Sequence, residues 1–264
     1  MSTARTGADT WLMAGRNLRR LPRAPEQIGG AIAQPVMFTL LFTYVFGAAI
    51  AVPGGGSYPQ YLLPGIMVQV MAFASIGTAA GVAEDMASGI VDRFRSLPIA
   101  RSAVLGGRAL SDLVQRAGQL AVLAGLGLAV GWRAHHDLAH TLAAFGLLLL
   151  FGLAFAWVGT WIGLTARNVE ATNNFGLLWL FPVTFIATTF VPLTGMPTWL
   201  RGVAEWNPVS AMVGACRQLF GDPTTPSHAW PLTHPVIAAV AWSALLIAVF
   251  APLAVRRYQT MARR

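Results

Sequence analysis

Lysine is absent from this chain; all 18 of its basic residues are arginine. A phosphate-cradling P-loop needs a lysine to reach the phosphates, so ATP hydrolysis by that device is excluded. Charge of either sign is scarce: 11% of the 264 residues are charged against 55% hydrophobic, with a mean hydropathy of +0.59. That leaves too little polar surface to clothe a water-soluble globule, which excludes a soluble enzyme. The only cysteine, Cys216, excludes an intrachain disulfide and reads as a small buried apolar residue. No G-x-S-x-G elbow, HExxH pair or intramembrane carboxylate cluster is present, so chemistry is not expected of this chain. His135, His136 and Asp137 stand together without a further ligand at metal spacing, and no metal site is expected. A cleavable secretory signal is not expected either, because Arg5, Asp9, Arg16, Arg19, Arg20, Arg23 and Glu26 break any early apolar run.

What the chain has in abundance is uncharged length. Residues 27–83 contain no charged side chain, enough for two membrane crossings joined at the turn of Pro53 to Ser57. The remaining runs predict further spans, giving six: near 29–51, 60–83, 103–130, 140–164, 174–190 and 235–255. The fold class expected is thus an all-α membrane protein with six transmembrane helices. An even number puts both termini on one side. Arg5 to Arg23, Arg93, Arg95, Arg101, Arg108, Arg167, Arg256, Arg257, Arg263 and Arg264 gather there, against Arg133, Arg201 and Arg217 opposite. The positive-inside rule makes the crowded side cytoplasmic. The net charge of +8 therefore points to anionic lipid and not to nucleic acid. From Trp11 to Arg23 an apolar face opposes an arginine face, which predicts an amphipathic helix on the inner leaflet. A basic tail without structure is the alternative, since Pro22 and Pro25 stop a helix early.

Several features inside the spans predict contacts. Gly77 with Gly81, and Gly159 with Gly163, are small-xxx-small pairs that let helices approach. Asp112 is four residues from both Arg108 and Arg116, which predicts a structural ion cluster on one helix face, with a substrate or proton role as the alternative. Trp132, Trp199, Trp206 and Trp230 are expected at the outer boundary. Glu84 to Pro98 reads as a short amphipathic element of both charge signs ended by proline, or as an ordinary charged loop.

The order of that segment decides between the two. Glu84-Asp85, Gly89, Asp92-Arg93-Phe94-Arg95-Ser96-Leu97-Pro98, then Arg101 and Gly107-Arg108, resembles the cytoplasmic signature of ABC-2 type export permeases, above all the daunorubicin-resistance branch. Tyr61 to Ile66, Phe190-Val191-Pro192, Met196 to Leu200, Asn207 to Ser210 and Arg217 resemble other stretches of that family.

The resemblance implies one transmembrane domain over 1–264: a cytoplasmic amphipathic helix (1–28), a six-span core (29–255) and a cytoplasmic tail (256–264). Short re-entrant helices over 193–230 are expected to cap the outer side between spans 5 and 6, where irregular backbone is tolerated only if protein or water satisfies it. It also implies a permease without its own ATPase. Two copies of a partner ATPase carry the ATP and Mg, a second permease chain completes a dimer, and the chain itself binds no cofactor. Coupling falls to Glu84, Asp85, Gly89, Asp92, Arg93, Phe94, Arg95, Pro98 and Arg101, with Arg167 and Glu170 in a second contact loop over 167–173. The expected location is a bacterial cytoplasmic membrane, and the expected activity is export of a hydrophobic or amphipathic drug or lipid by alternating access. Met37, Thr39, Tyr44, Met67, Gln69, Phe73, Phe185 and Thr188 of spans 1, 2 and 5 are the candidate cargo contacts; they offer aromatic, sulfur and hydroxyl groups without unpaired charge. The alternatives are a polysaccharide or glycolipid exporter of the same superfamily and a non-transporting scaffold or sensor subunit.

Overall fold

A computed structural model describes residues 25–47, 50, 52, 56–87, 101–166, 168–224 and 226–261, with side chains outside the description at 25–32, 101–111 and 261. The expected amphipathic helix before residue 24 and the segment 88–98 lie outside the described residues.

Five long helices form the first part of the chain: α1 (Pro25–Leu41), α2 (Tyr58–Ala87), α3 (Arg101–Ala129), α4 (Leu138–Thr165) and α5 (Val169–Ile186). The short helices α6 (Thr198–Glu205), α7 (Pro208–Phe220) and α8 (Trp230–Thr233) come next, and α9 (Pro235–Met261) is again long. The described residues contain no strand. By length and composition, α2, α4 and Pro235–Thr260 of α9 could each cross a membrane. Packing partners fix the directions: Met71 and Ala79 of α2 meet Gly152 and Gly163 of α4, Met71 and Thr78 meet Arg116 of α3, and Tyr61 meets Thr188 after α5. The long helices therefore alternate in direction. One end of the bundle carries Glu84, Asp85, Glu170, Arg256 and Arg257; the other carries α6, α7 and the loop of Trp132 to Asp137.

Side chains explain the element ends. Asn168 caps α5 by accepting from Ala171 N at 2.7 Å, so residues 169–173, expected as a loop, are the first turns of a helix. That helix also ends sooner than the expected 190: residues 187–190 are a buried turn. At the charged end, Glu84 to Ala87 complete the last turn of α2 instead of opening a separate element, as expected of good helix formers. The final helix likewise runs past 255 to Met261. Asn207 caps α7, with Pro208 in the first turn and Gly221 (φ +76) closing it in the left-handed region that suits glycine.

The Gly159 and Gly163 pair is a true contact. A Cβ at either would strike the carbonyl oxygen of Ser75 or Ala79, so α2 and α4 approach backbone to backbone. Gly77 instead faces open space. Among the tryptophans, Trp199, Trp206 and Trp230 are exposed at one end, but Trp132 is buried. Asp222 Oδ2 accepts its indole N–H at 2.9 Å, and the ring lies edge-on to Phe220, which removes any need for an interface. Cys216 is buried in the core beside Met212 and Phe220.

Candidate functional site: a cavity and two buried arginines

A cavity of 690 Å3 lies between α1, α2, α3 and α5. One wall is apolar, built from Pro35, Phe38, Ile66, Val70, Phe73 and Leu177. The other is polar, built from Gln69, Gln115, Gln119, Asp112, Arg116 and Asn173, with Gln34 at its edge. The rim residues Gly77, Gln115, Asn173 and Leu177 are exposed and put the mouth between α3 and α5.

Arg116 is 3% exposed. Its Nη1 donates to Met71 O at 2.9 Å and its Nη2 to Thr78 Oγ1 at 3.1 Å. Thr78 in turn donates to Asp112 Oδ2 at 3.2 Å. A buried guanidinium is tolerable only when paired and hydrogen-bonded, and this arrangement supplies both. Gly152 makes room for it: a Cβ there would sit 3.1 Å from Arg116 Cδ. Of the expected cluster, Asp112 and Arg116 both meet the Thr78 hydroxyl of α2; the Arg108 side chain lies outside the described part.

Beyond Phe38 the space is closed by aromatic rings. Phe38 lies 6.3 Å from both Phe185 and Phe190, and Phe42 stacks on Phe190 at 4.3 Å. Phe42 opens a π-helical turn, Phe42–Phe46, that continues α1.

The second buried arginine is Arg217 of α7, which is 0% exposed. Its Nε and Nη2 donate to Tyr61 O at 3.0 and 2.7 Å, and Nη2 also reaches Thr188 O at 2.9 Å. The guanidinium carbon stands 3.5 Å from the centroid of the Tyr61 ring, a cation–π contact. Tyr61 Oη donates to Thr188 O, and Thr188 N donates to Ser210 Oγ at 3.1 Å. One side chain therefore ties the start of α2 and the turn after α5 to α7. Gly65 permits the approach, since a Cβ there would meet the Thr189 backbone at 2.9 Å.

The candidate cargo residues separate accordingly. Gln69 and Phe73 line the cavity, Met67 is buried in the core, and Met37 and Tyr44 are exposed. Thr39 is buried and donates to Pro35 O at 2.8 Å. Phe185 belongs to the aromatic closure and Thr188 to the Arg217 hub. Of the residues expected to couple to an ATPase, Glu84 and Glu170 are exposed and Asp85 is half-buried, all at the charged end. Arg101 opens α3, while Gly89, Asp92, Arg93, Phe94, Arg95, Pro98 and Arg167 lie outside the described residues. The site role of α3, with Gln115 and Gln119, and the hub at Arg217 are additions of the structure. In the sequence Arg217 stands out by its place in the family resemblance and as an arginine in an apolar run without an acid one helical turn away.

The model of the ABC-2 type transporter family matches residues 8–220. The daunorubicin resistance ABC transporter permease protein DrrB1 of Streptomyces coeruleorubidus is 32% identical over 235 residues, covering 89% of this chain and 80% of the relative. The doxorubicin resistance ABC transporter permease protein DrrB of Mycobacterium tuberculosis is 24% identical over 265 residues, covering 96% and 90%. With its apolar helices and without a P-loop lysine, the chain belongs to the ABC-2 type transporter family, as the membrane permease subunit of an ABC exporter whose ATP is hydrolysed by a partner.

Proposed function

We propose that this permease exports an amphipathic drug or lipid across a bacterial cytoplasmic membrane, with its charged end and both termini in the cytoplasm. All six long helices cross the bilayer, α6 to α8 dip into its outer leaflet, and 1–264 is one domain. Two permease chains and two ATPase subunits make the working complex, since one six-helix chain offers no internal repeat across which access could alternate. The ATPases carry ATP and Mg, and the permease binds no cofactor. Glu84 to Pro98 and the start of α5 near Arg167 and Glu170 receive the ATPase movement.

The observation that carries this reading is the cavity: drug-sized by the usual range of roughly 300–1,000 Å3, apolar on one side and polar on the other. Its closure toward the Trp199 end by Phe38, Phe42, Phe185 and Phe190 suits a resting state that takes cargo from the cytoplasmic side. Cargo can shift such an equilibrium only through different affinities for the two states, so binding is tighter without nucleotide.

The test is ATP-driven efflux of doxorubicin from cells expressing the permease with its ATPase. Efflux should need both subunits. Asp92→Arg with Arg95→Asp should abolish it while leaving permease abundance unchanged. Efflux and ATPase association that survive the charge reversal refute the coupling assignment, and no ATP-dependent movement of any amphipathic cargo refutes the exporter reading.

A further inference from the structure

At the end of the bundle that carries α6 and α7, three separate segments meet at one buried carboxyl. Asp222 follows α7, and its side chain is wholly buried. Its Oδ2 accepts the indole N–H of Trp132, from the loop between α3 and α4, at 2.9 Å. Its Oδ1 is buried without a hydrogen-bond partner, and Nδ1 of His135 in the same loop stands 3.7 Å away. Main chain already pins that loop here, since His135 N donates to Phe220 O at 2.7 Å. On its other side, His135 Nε2 lies 3.2 Å from Gln60 Nε2 at the start of α2. Gly56, just before α2, is so close to Pro223 that a Cβ would come within 2.5 Å of its ring. Asp222 thus stands where the α3–α4 loop, the end of α7 and the start of α2 are joined.

A buried acceptor left without a donor is costly, and a proton on Oδ1 removes that cost. The protonated carboxyl donates from Oδ1 to His135 Nδ1 once the half-exposed imidazole turns toward it, while Oδ2 keeps the Trp132 N–H. The imidazole then carries its own proton on Nε2, facing the Gln60 carboxamide, which presents an acceptor oxygen after a half-turn. An ionised carboxyl in the same place must hold its charge away from water. The other titratable or charged groups nearby are Arg217 and Cys216 of α7 and His136 beside Gly221. Tyr58 and Tyr61 of α2 stand against Arg217, and Asp137 is taken up by His140. Burial outweighs the charge of Arg217 and pushes the Asp222 carboxyl up to about 7.

We propose that Asp222, His135 and Trp132 form a proton-held latch at the outer end of the permease: a proton on Asp222 clamps the α3–α4 loop to α7 and α2, and loss of that proton frees it. Acid outside the cell therefore holds the outer end shut and slows release of cargo, and neutral surroundings let it open. The chemical change is loss of the Oδ1 proton to water by way of the half-exposed imidazole. The outward orientation and the effect on release rest on the exporter reading; the latch itself does not.

Amide hydrogen exchange is followed over 130–137 and 217–224 of the full permease in phosphatidylcholine nanodiscs, each rate divided by that of the unstructured chain at the same pH. A raised carboxyl gives stability that is whole below its ordinary value of 3.8 and is lost as pH climbs to about 7. The opening equilibrium of these segments should therefore rise about tenfold or more from pH 5 to pH 7.5 and level off above. Residues 148–158 in the core of α4 should not change, which separates the latch from general unfolding. Asp222→Asn keeps an acceptor for Trp132, puts a donor opposite His135 and cannot ionise. It should be as protected at pH 7.5 as wild type is at pH 5. In cells carrying permease and ATPase, the ratio of wild-type to Asp222→Asn doxorubicin efflux should rise about threefold between outside pH 5.5 and 7.5; titration of the cargo cancels from that ratio.

Exchange in wild type that stays level with pH, or that takes the same course in a folded Asp222→Asn, overturns the latch. The expected exchange with an efflux ratio that does not move overturns its control of release. Absence of ATP-driven efflux at every pH sinks the exporter reading, while the pH course of exchange still decides the latch.

Discussion

Arg116 and Arg217 are the same side chain buried to the same depth, 3% and 0% exposed, and they do opposite things. Arg217 spends its fork on backbone carbonyls of two other segments and lays its face on Tyr61, so the region around it is closed by construction. Arg116 holds one carbonyl and one hydroxyl, stands beside a carboxylate of its own helix, and borders open space. The difference teaches where this bundle can change. A guanidinium satisfied by main chain moves only if whole segments move with it. One satisfied through side chains can shift as rotamers do.

The sharpest way to break that comparison is at Arg217. Arg217→Ala removes the buried guanidinium donor to Tyr61 O, Thr188 O and Thr189 O, of which Thr188 O keeps the Tyr61 hydroxyl, and should cost about 3 kcal/mol or more. The expected outcome is collapse of permease abundance and of melting temperature in detergent. Arg217→Lys should restore little, because a point ammonium cannot hold two segments and stack on a ring together. If Arg217→Ala melts like wild type, the hub is not a structural tie.

Arg116→Met should give a smaller loss of stability, near 1–2 kcal/mol, since Thr78 and Met71 sit in regular helices that keep their other bonds. Its effect on efflux should exceed its effect on melting. A variant with normal efflux would show that the cavity wall is passive.

The smallest effect belongs to Asp222, in the loop beyond α7. Its carboxyl is pushed up to about 7, mainly by burial, against the Trp132 hydrogen bond and the charge of Arg217, which lower it. His135 Nδ1 lies 3.7 Å from Oδ1. An acid whose folded value is raised above its unfolded one costs the folded state nothing below the unfolded value; the cost grows as pH rises toward the folded value and is complete above it. The melting temperature should therefore fall by a few degrees between about pH 4 and pH 7 relative to Asp222→Asn. Parallel pH profiles for the two proteins would refute this.

Much of this architecture was legible without coordinates. Charge-free runs located the long helices, and the i, i+4 spacing found Asp112 with Arg116, because both signals are local. The Gly159 and Gly163 pair was visible for the same reason. Element ends were missed where one side chain decided them, as Asn168 does at α5. The Arg217 hub was invisible because its partner Tyr61 lies 156 positions away and accepts through a carbonyl that every residue has. Thr78 and the carboxamides of α3 escaped notice because no spacing relates a hydroxyl on one helix to an arginine on another.

The contact of Gly159 and Gly163 with Ser75 and Ala79 has a mechanical consequence. Where two helices touch through main chain there are no rotamers to trade, and sliding one past the other means lifting whole turns over each other. Helices α2 and α4 therefore behave as a single keel. Motion that opens or shuts the molecule is then expected of the helices on the flank of α2 away from α4, with the Arg217 hub holding the end of α5 to the start of α2.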